Sequence, residues 1–541
     1  MKILFLVTIL YLSISACSEP QQAAEWSFDS PFLIGHLARF SDPCEDESTV
    51  NDEDKGDSTN SEPNAVNLAV THVDEILHRL YGDSLSAYIS IEPADTKGMP
   101  STAKAEAERL LKEEGVNAII GASRTEPTKL SYKEVSDYNK EFPNRDVVQI
   151  SHSATATSLS EETLDEDDRL FRTIVSDDVV GKALARLIIA RGYEKPAVIY
   201  IDNDYGRGLF KSLNQELESA GREKIEGIDY PDRSDQSIVS CEDRPKDLPK
   251  EKDWSRELEE IKDADVLVAL SYASETVDIV DDAIRGGFFN NFLFADRDLT
   301  DALLNLDPPW IDEVIDQKFG GVYPGAPPSI SRTEFKLEYY CAEKELVIPR
   351  EMEKALTEIT NIEGDCDLTK ALLKGTLSDT TINQAFEEVY PRGSPSISPT
   401  EFRLDLHCEY KKVMEELSSY SYHSYDAAVL LPLAYVYLNQ MNAEDRQIIS
   451  GKENTLASAL RSIGTPSGEP VGLAMRGGLS RAFELVKQGI DINYVGVAGP
   501  QDFNELGDVE TEVLIIKVVD GQTIDHGELE LNITQDDTDK C

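Results

Sequence analysis

The sequence predicts an α/β protein of two lobes, each with its own largely parallel sheet, plus an added helical segment. Three observations predict it. Short apolar runs alternate with stretches of helical periodicity through most of the chain after Gln21, the rhythm of strand–helix–strand units. The alternation comes in two successive series, one before and one after Leu170. At 541 residues, with 40% hydrophobic and 28% charged side chains, the chain is too long for one compact core and too apolar for a disordered one.

The first series opens with a strand at 31–35. An acidic, Ser/Asn-rich stretch at 42–63 reads as a surface loop. It carries Asp52, Asp54, Gly56 and Asp57, but the calcium-loop spacing is incomplete and no terminal Glu is in place. A helix follows over 65–80, with Val66, Leu68, Ala69, Val73, Ile76 and Leu80 near one face. Then come a strand at 86–90, a helix at 103–114, a strand at 117–120, a helix ending at Glu141 and a strand at 147–150.

In the second series Val180, Ala183, Leu184, Leu187 and Ile188 mark one helix face. A buried-looking strand is expected at 196–201, a helix at 210–220, a strand at 265–270, a helix at 275–285 and a strand at 291–295. An internal repeat follows. Pro328-Ser329-Ile330-Ser331 with Thr333-Glu334-Phe335 recurs as Pro395-Ser396-Ile397-Ser398 with Thr400-Glu401-Phe402, and Cys341 maps onto Cys408. Two copies are too few for a solenoid, so the reading is a partial tandem duplication forming an added helical subdomain.

The charge restricts the partners. Lys plus Arg number 52 against 102 Asp plus Glu, a net charge of −50; such a surface repels nucleic acid and anionic headgroups. Lys2, the apolar run 3–12 and Ile14 with the small residues Ser15-Ala16 before Cys17 read as an export signal, too short for a membrane span. The tetrapeptide ending at Cys17 resembles a bacterial lipobox. That resemblance implies cleavage after residue 16, acylation of Cys17 and attachment to a membrane, and Ser18 favours the outer one; an ordinary signal peptide cut near Ala16 is the alternative. Cys44, Cys241, Cys341, Cys366, Cys408 and Cys541 remain, without metal-ligand spacing, and the sequence leaves their pairing open.

Several local patterns, taken in order, resemble one family. They are Gly115-Val116-Asn117-Ala118-Ile119-Ile120-Gly121, then Gln149-Ile150-Ser151-His152-Ser153-Ala154-Thr155. Phe171-Arg172-Thr173 with Asp177 and Asp204-Tyr205-Gly206-Arg207-Gly208 follow. Ser424-Tyr425-Asp426-Ala427 and Gly499-Pro500 leading to Phe503-Asn504 with Gly507-Asp508 complete the set. In this order the chain resembles type I periplasmic solute-binding proteins of the branched-chain amino-acid receptor kind. The resemblance implies two doubly wound lobes joined by three crossovers, with the ligand between them. The implied division is signal peptide 1–16, first lobe 17–170, second lobe 171–322, first lobe again 323–496 with the duplicated insertion at about 344–411, and second lobe 497–541.

The resemblance also implies where a ligand sits, because ligands bind beyond the carboxyl ends of strands in open α/β sheets. Ser123 and Thr125, with Ala154 and Thr155, are expected to hold a ligand carboxylate through hydroxyls and backbone amides. Tyr205 is expected to close over the ligand from the other lobe, with Tyr272 beside it, and Asp296 to pair with a ligand ammonium. Ser123, Thr125 and Thr155 equally suit helix capping, Ser271 is an alternative to Tyr272, and Arg297 is an alternative partner for Asp296. Two departures from the family pattern are noted: Arg124 stands among usually small residues, leaving room for an acidic or larger ligand, and His152 stands where proline is common.

No HExxH, GxSxG, Walker A or dinucleotide fingerprint occurs in the required context, and seven histidines give few acid–base candidates. The expectation is therefore a non-enzymatic receptor without cofactor or metal, a lipid-anchored periplasmic monomer. It captures a small amino-acid-like solute and presents it to an ABC permease. An envelope regulatory or scaffold lipoprotein that binds a protein partner is the alternative, favoured by the duplication and the charge.

Overall fold

The computed structural model of the chain describes residues 29–41, 58–161, 168–232, 253–295, 319–324, 335–337, 339–341, 350–362, 365–374, 376–389, 413, 417–418, 420–440, 455–473, 475, 477–509, 513–519 and 522–524. The export signal with Cys17, the Asp52–Asp57 stretch, Asp296 and the second copy of the Phe335 repeat lie outside these residues.

Two sheets organise them. The first comprises β1 (Phe32–Ala38), β2 (Ile89–Asp95), β3 (Ala118–Ile120), β4 (Val148–Ser151) and β5 (Leu170–Arg172), all parallel, in the order β2-β1-β3-β4-β5. The second contains β6 (Pro196–Asp202), β7 (Gly227–Pro231), β8 (Val266–Leu270), β9 (Phe292–Phe294) and β10 (Phe319–Pro324), parallel in the matching order β7-β6-β8-β9-β10. Each sheet therefore reverses its strand order once, between β1 and β3 and between β6 and β8, which is the doubly wound topology.

Side-chain alternation shows why both faces are covered. In β8, Val266, Val268 and Leu270 enter one core, while Leu267 and Ala269 enter another. In β6, Val198 faces the first of these cores and Ala197, Ile199 and Ile201 the second. The first sheet behaves likewise: Ile34, Ala118, Ile120, Val148 and Ile150 lie on one side, and Leu37, Ile119 and Val147 on the other. A sheet buried on both sides needs apolar residues at consecutive positions, which gives the continuous apolar runs of the sequence.

Helices cover these faces. On the first sheet they are α1 (Ser58–Tyr81), α2 (Pro100–Arg109) and α3 (Thr125–Glu141); on the second, α4 (Asp177–Ala190), α5 (Asp204–Ser219), α6 (Ser255–Glu260) and α7 (Ala273–Arg285). The chain passes to the second lobe after β5. It returns to the first as the helix Tyr420–Gln440, which packs on α1 and sets Tyr435 4.5 Å from Phe32 between ring centroids. It re-enters the second sheet as β14 (Val513–Val519), antiparallel to β10, followed by β15 (Gln522–Ile524). A small third sheet of β11 (Glu469–Val471), β12 (Ile492–Gly496) and β13 (Gly499–Pro500) precedes that last passage.

Several boundaries differ from the sequence reading. The loop expected at 42–63 gives way to helix from Ser58; Pro63 sits in the second turn, where only the bond to the Thr59 carbonyl is lost. The strand expected at 86–90 begins at Ile89 and runs through Pro93, tolerated because β2 is an edge strand paired only with β1. The helix expected at 103–114 ends as α2 at Arg109 and continues as a π turn, Leu110–Glu114. The helix expected at 210–220 starts six residues earlier, because the Asn203 side chain accepts a hydrogen bond from Gly206 N at 3.0 Å and caps α5.

The added segment is helical where described, with helices Arg350–Thr360, Asp365–Leu373 and Asp379–Val389. Cys341 and Cys366 form a disulfide with Cα atoms 5.5 Å apart. The buried Phe335 stacks edge-on against Tyr422 and Tyr425, at 5.2 Å to each ring, so the segment joins the core around the Tyr420–Gln440 helix.

Candidate functional site

The two switch points present their strand ends to each other. At the end of β3, the left-handed backbone of Gly121 (φ 111°) lies against the Leu37 carbonyl, where a Cβ would overlap it. The chain then passes Ala122, Ser123 and Arg124 into α3. Arg124 occupies the N-cap position with an extended backbone, and no side chain caps this helix. The capping role open to Ser123 and Thr125 is thus not taken up; Thr125 is the buried first residue of α3.

From the second lobe, Tyr272 follows β8 as the N-cap residue of α7, and Tyr205 lies in the first turn of α5 rather than in a loop. Their rings stack, 5.5 Å apart with planes 9° from parallel. The guanidinium of Arg124 lies over the Tyr272 ring at 5.2 Å from its centroid, a cation–π contact between the lobes. Asn203 donates through Nδ2 to Tyr272 OH at 3.0 Å and to Asp232 Oδ2 at 2.6 Å, fixing the ring's polar end. Burial pushes the Tyr272 hydroxyl up to about 12, against the opposing effect of Arg124, so it remains a neutral donor at ordinary pH.

A second bridge between the lobes runs beside this one. Lys129 of α3 pairs with Asp204 of α5, and Ser158 donates to the same Asp204 oxygen at 2.9 Å. Burial raises the Asp204 carboxyl, but hydrogen bonds from Lys129, Arg207 and Ser158 outweigh it and hold the group below its ordinary value.

The loop after β4 is arranged differently from the expectation. Ala154 is buried and its N–H already donates to Ser151 Oγ at 3.2 Å. Thr155 is buried, and its carbonyl accepts from Asp177 N at 2.8 Å. His152 is fully buried, with Nε2 2.8 Å from Glu62 Oε2. A carboxylate only accepts, so Nε2 is the donor in this contact. Ser123 Oγ lies at the margin of this pair, 3.4 Å from Glu62 and 3.5 Å from His152 Nε2. The His36 ring stands 6.4 Å from that of His152, and burial with the neighbouring His152 pushes its pKa down to about 3, which keeps it neutral.

The structure thus brings together Tyr205, Tyr272 and Arg124, with Ser123 adjacent in the chain. Glu62, Asn203 and Asp232 are the polar residues that sequence reasoning missed. Asn203 was detectable as a cap-type residue between a strand and a helix. Glu62 had no such signal, being one acid among 102 Asp and Glu. Among the described residues, no group of three or more His, Cys, Asp or Glu side chains is placed to hold a metal ion. No helix among them is long and apolar enough to cross a membrane.

Comparison with known proteins adds three findings. Residues 61–521 match the model of the family described as the receptor family ligand binding region. No curated protein matches the chain. Among solved structures, an ABC transporter substrate-binding protein from Desulfitobacterium hafniense in complex with Leu is similar at 16% identity and a TM-score of 0.50, over 92% of this chain and 99% of that one. A leucine binding protein from Thermotoga maritima is similar at 13% identity and a TM-score of 0.50, over 91% and 97%. A solute binding protein of an ABC transporter from Rhodopseudomonas palustris, in complex with p-hydroxybenzoic acid, is similar at 14% identity and 0.50, over 92% and 96%. At these identities the likeness concerns the fold.

Proposed function

The chain belongs to the family of receptor ligand-binding regions, and on that premise we propose that it is an extracytoplasmic solute receptor. It captures a small polar solute, an amino acid or a related small acid, between its lobes and delivers it to an ABC transporter without catalysing a reaction. The observation that carries this reading is the meeting of Arg124 and Tyr272, each just past a strand beside its sheet's switch point. Ligands of open α/β sheets bind at that place. The similar substrate-binding proteins, in complex with Leu and with p-hydroxybenzoic acid, support a solute of that size.

In this reading Ser123, Thr125 and Thr155 line the first lobe's side of the cleft, and Tyr205, Tyr272 and Asp296 the second's. The solute binds the closed arrangement more tightly than the open one, and that difference alone shifts the population. Acylation of Cys17 keeps the receptor, a monomer, at the cell envelope, where two or more acyl chains give durable attachment.

Thermal unfolding of the protein against amino acids and aromatic acids tests the proposal. A solute at about 100 times its Kd adds about 2.7 kcal/mol when only the folded state binds it. One chemical class is expected to raise the unfolding temperature. An unchanged temperature with every solute, in folded protein free of co-purified ligand, contradicts solute capture and favours a protein-binding scaffold.

A further inference from the structure

We propose that Arg124 takes the carboxylate of the bound solute, so that the cleft selects carboxylic acids over their neutral amides. The inference rests on the solute-receptor reading and assigns the anion to a side chain other than those the family pattern supplies.

Arg124 is half-buried where the two lobes meet, at the N-cap position of a 17-residue helix. Its guanidinium stacks on the Tyr272 ring. Stacking engages the face of a guanidinium and leaves its in-plane N–H fork open, the geometry that receives a carboxylate through two parallel hydrogen bonds. Among the described residues no carboxylate, carbonyl or hydroxyl accepts from that fork. Several other arginines hold acids: Arg109 holds Glu92 and Glu106, Arg169 holds Asp146, Arg207 holds Asp202 and Asp204, and Arg481 holds Glu469. Arg145, Arg222 and Arg461 donate instead to backbone carbonyls. The Arg124 guanidinium, at the meeting of the lobes, differs from both sets.

Three further observations bear on the anion. The Ala154 N–H, which the family pattern assigns to the ligand carboxylate, is taken by Ser151 Oγ, so an anion there needs another donor. The net charge of −50 repels an anionic solute at long range, and a local cation at the entrance offsets that repulsion where the solute binds. The open N–H groups in the first turn of α3 add a favourable dipole at the same end.

The test compares wild-type protein with Arg124→Gln and Arg124→Lys, using two acid–amide pairs as probes: leucine with leucinamide, and 4-hydroxybenzoate with 4-hydroxybenzamide. Unfolding without solute establishes that each variant is folded. Wild type is expected to bind the acid of at least one pair and to bind its amide at least about tenfold more weakly. Arg124→Gln raises the Kd of that acid by about tenfold or more while leaving the amide unchanged, as loss of a charge-assisted contact predicts. Arg124→Lys falls between, since it keeps the charge and loses the fork. A merely structural role for Arg124 weakens acid and amide together, and that result overturns the inference. Acid binding unaltered in Arg124→Gln also overturns it while leaving the solute receptor intact. Failure of wild type to bind any of the four probes counts against both.

Discussion

Arg172 and Asp508 form a buried ion pair that ties the first crossover to the last. The Arg172 side chain is 1% exposed, and its guanidinium meets Asp508 Oδ1 at 2.6 Å and the Ala156 carbonyl at 3.0 Å. Ser160 Oγ donates to Asp508 Oδ2 at 2.7 Å, and Arg172 N donates to the Gly507 carbonyl at 2.9 Å. One residue further on, Thr173 Oγ1 donates to the His423 carbonyl at 3.0 Å, which fastens the start of the Tyr420–Gln440 helix beside the same point. The first and last chain passages between the lobes are thus joined at one point, a natural pivot for lobe movement.

Asp508→Ala is expected to lower stability by about 3–5 kcal/mol, because it leaves the Arg172 charge buried without its partner. The urea midpoint checks this. A midpoint within experimental error of wild type means the pair does not hold the hinge.

The fully buried Asp426 joins the Tyr420–Gln440 helix to the small third sheet. It accepts from Tyr494 OH at 3.0 Å, Val497 N at 2.9 Å and Ala498 N at 2.7 Å. Burial pushes its pKa up to about 7, with these donors pulling the other way. Because the folded value lies above the unfolded one of about 3.9, the protonated carboxyl's contribution is complete below about pH 4. It is lost as pH rises through about 7. Asp426→Asn does not titrate and sets an amide N–H against a backbone N–H, at a cost of about 1–3 kcal/mol. The stability gap between wild type and variant should therefore shrink between pH 5 and 8. A gap that widens over this range shows a carboxylate ionised in the fold.

Phe335→Ala tests whether the duplicated segment belongs to the first lobe's core. Truncating a buried phenylalanine costs about 3–5 kcal/mol, and its contacts with Tyr422 and Tyr425 place that cost on the long helix. Global unfolding should move to lower denaturant in a single transition. An unchanged midpoint contradicts the packing.

The parts of this fold legible in the sequence are those whose signal is local. The apolar runs of β6 and β8 announced strands buried on both faces, and the Val180–Ile188 face announced α4. The start of α1 was hidden because its first residues share the acidic, Ser/Asn-rich composition of a loop, and the start of α5 because Gly206 and Gly208 resemble a turn. Arg172 and Asp508 both lie in segments that carried the family resemblance, yet their pairing joins residues 336 apart, which no local pattern encodes. At the site, the Tyr205 and Tyr272 rings stack on each other, each near the carboxyl end of a strand that the sequence marked. The Glu62–His152 pair and the diversion of the Ala154 amide to Ser151 depend on loop geometry and were not readable.

Calorimetric titration of leucine and of 4-hydroxybenzoate into wild type and Tyr272→Ala tests solute capture between the lobes. One solute per chain is expected for at least one of these acids. A Kd at least about tenfold weaker is expected in the variant, since truncating a partly buried aromatic at the lobe contact removes a large contact surface. Equal affinity in both proteins, or no binding of either acid to wild type, contradicts a solute site between the lobes at Tyr272.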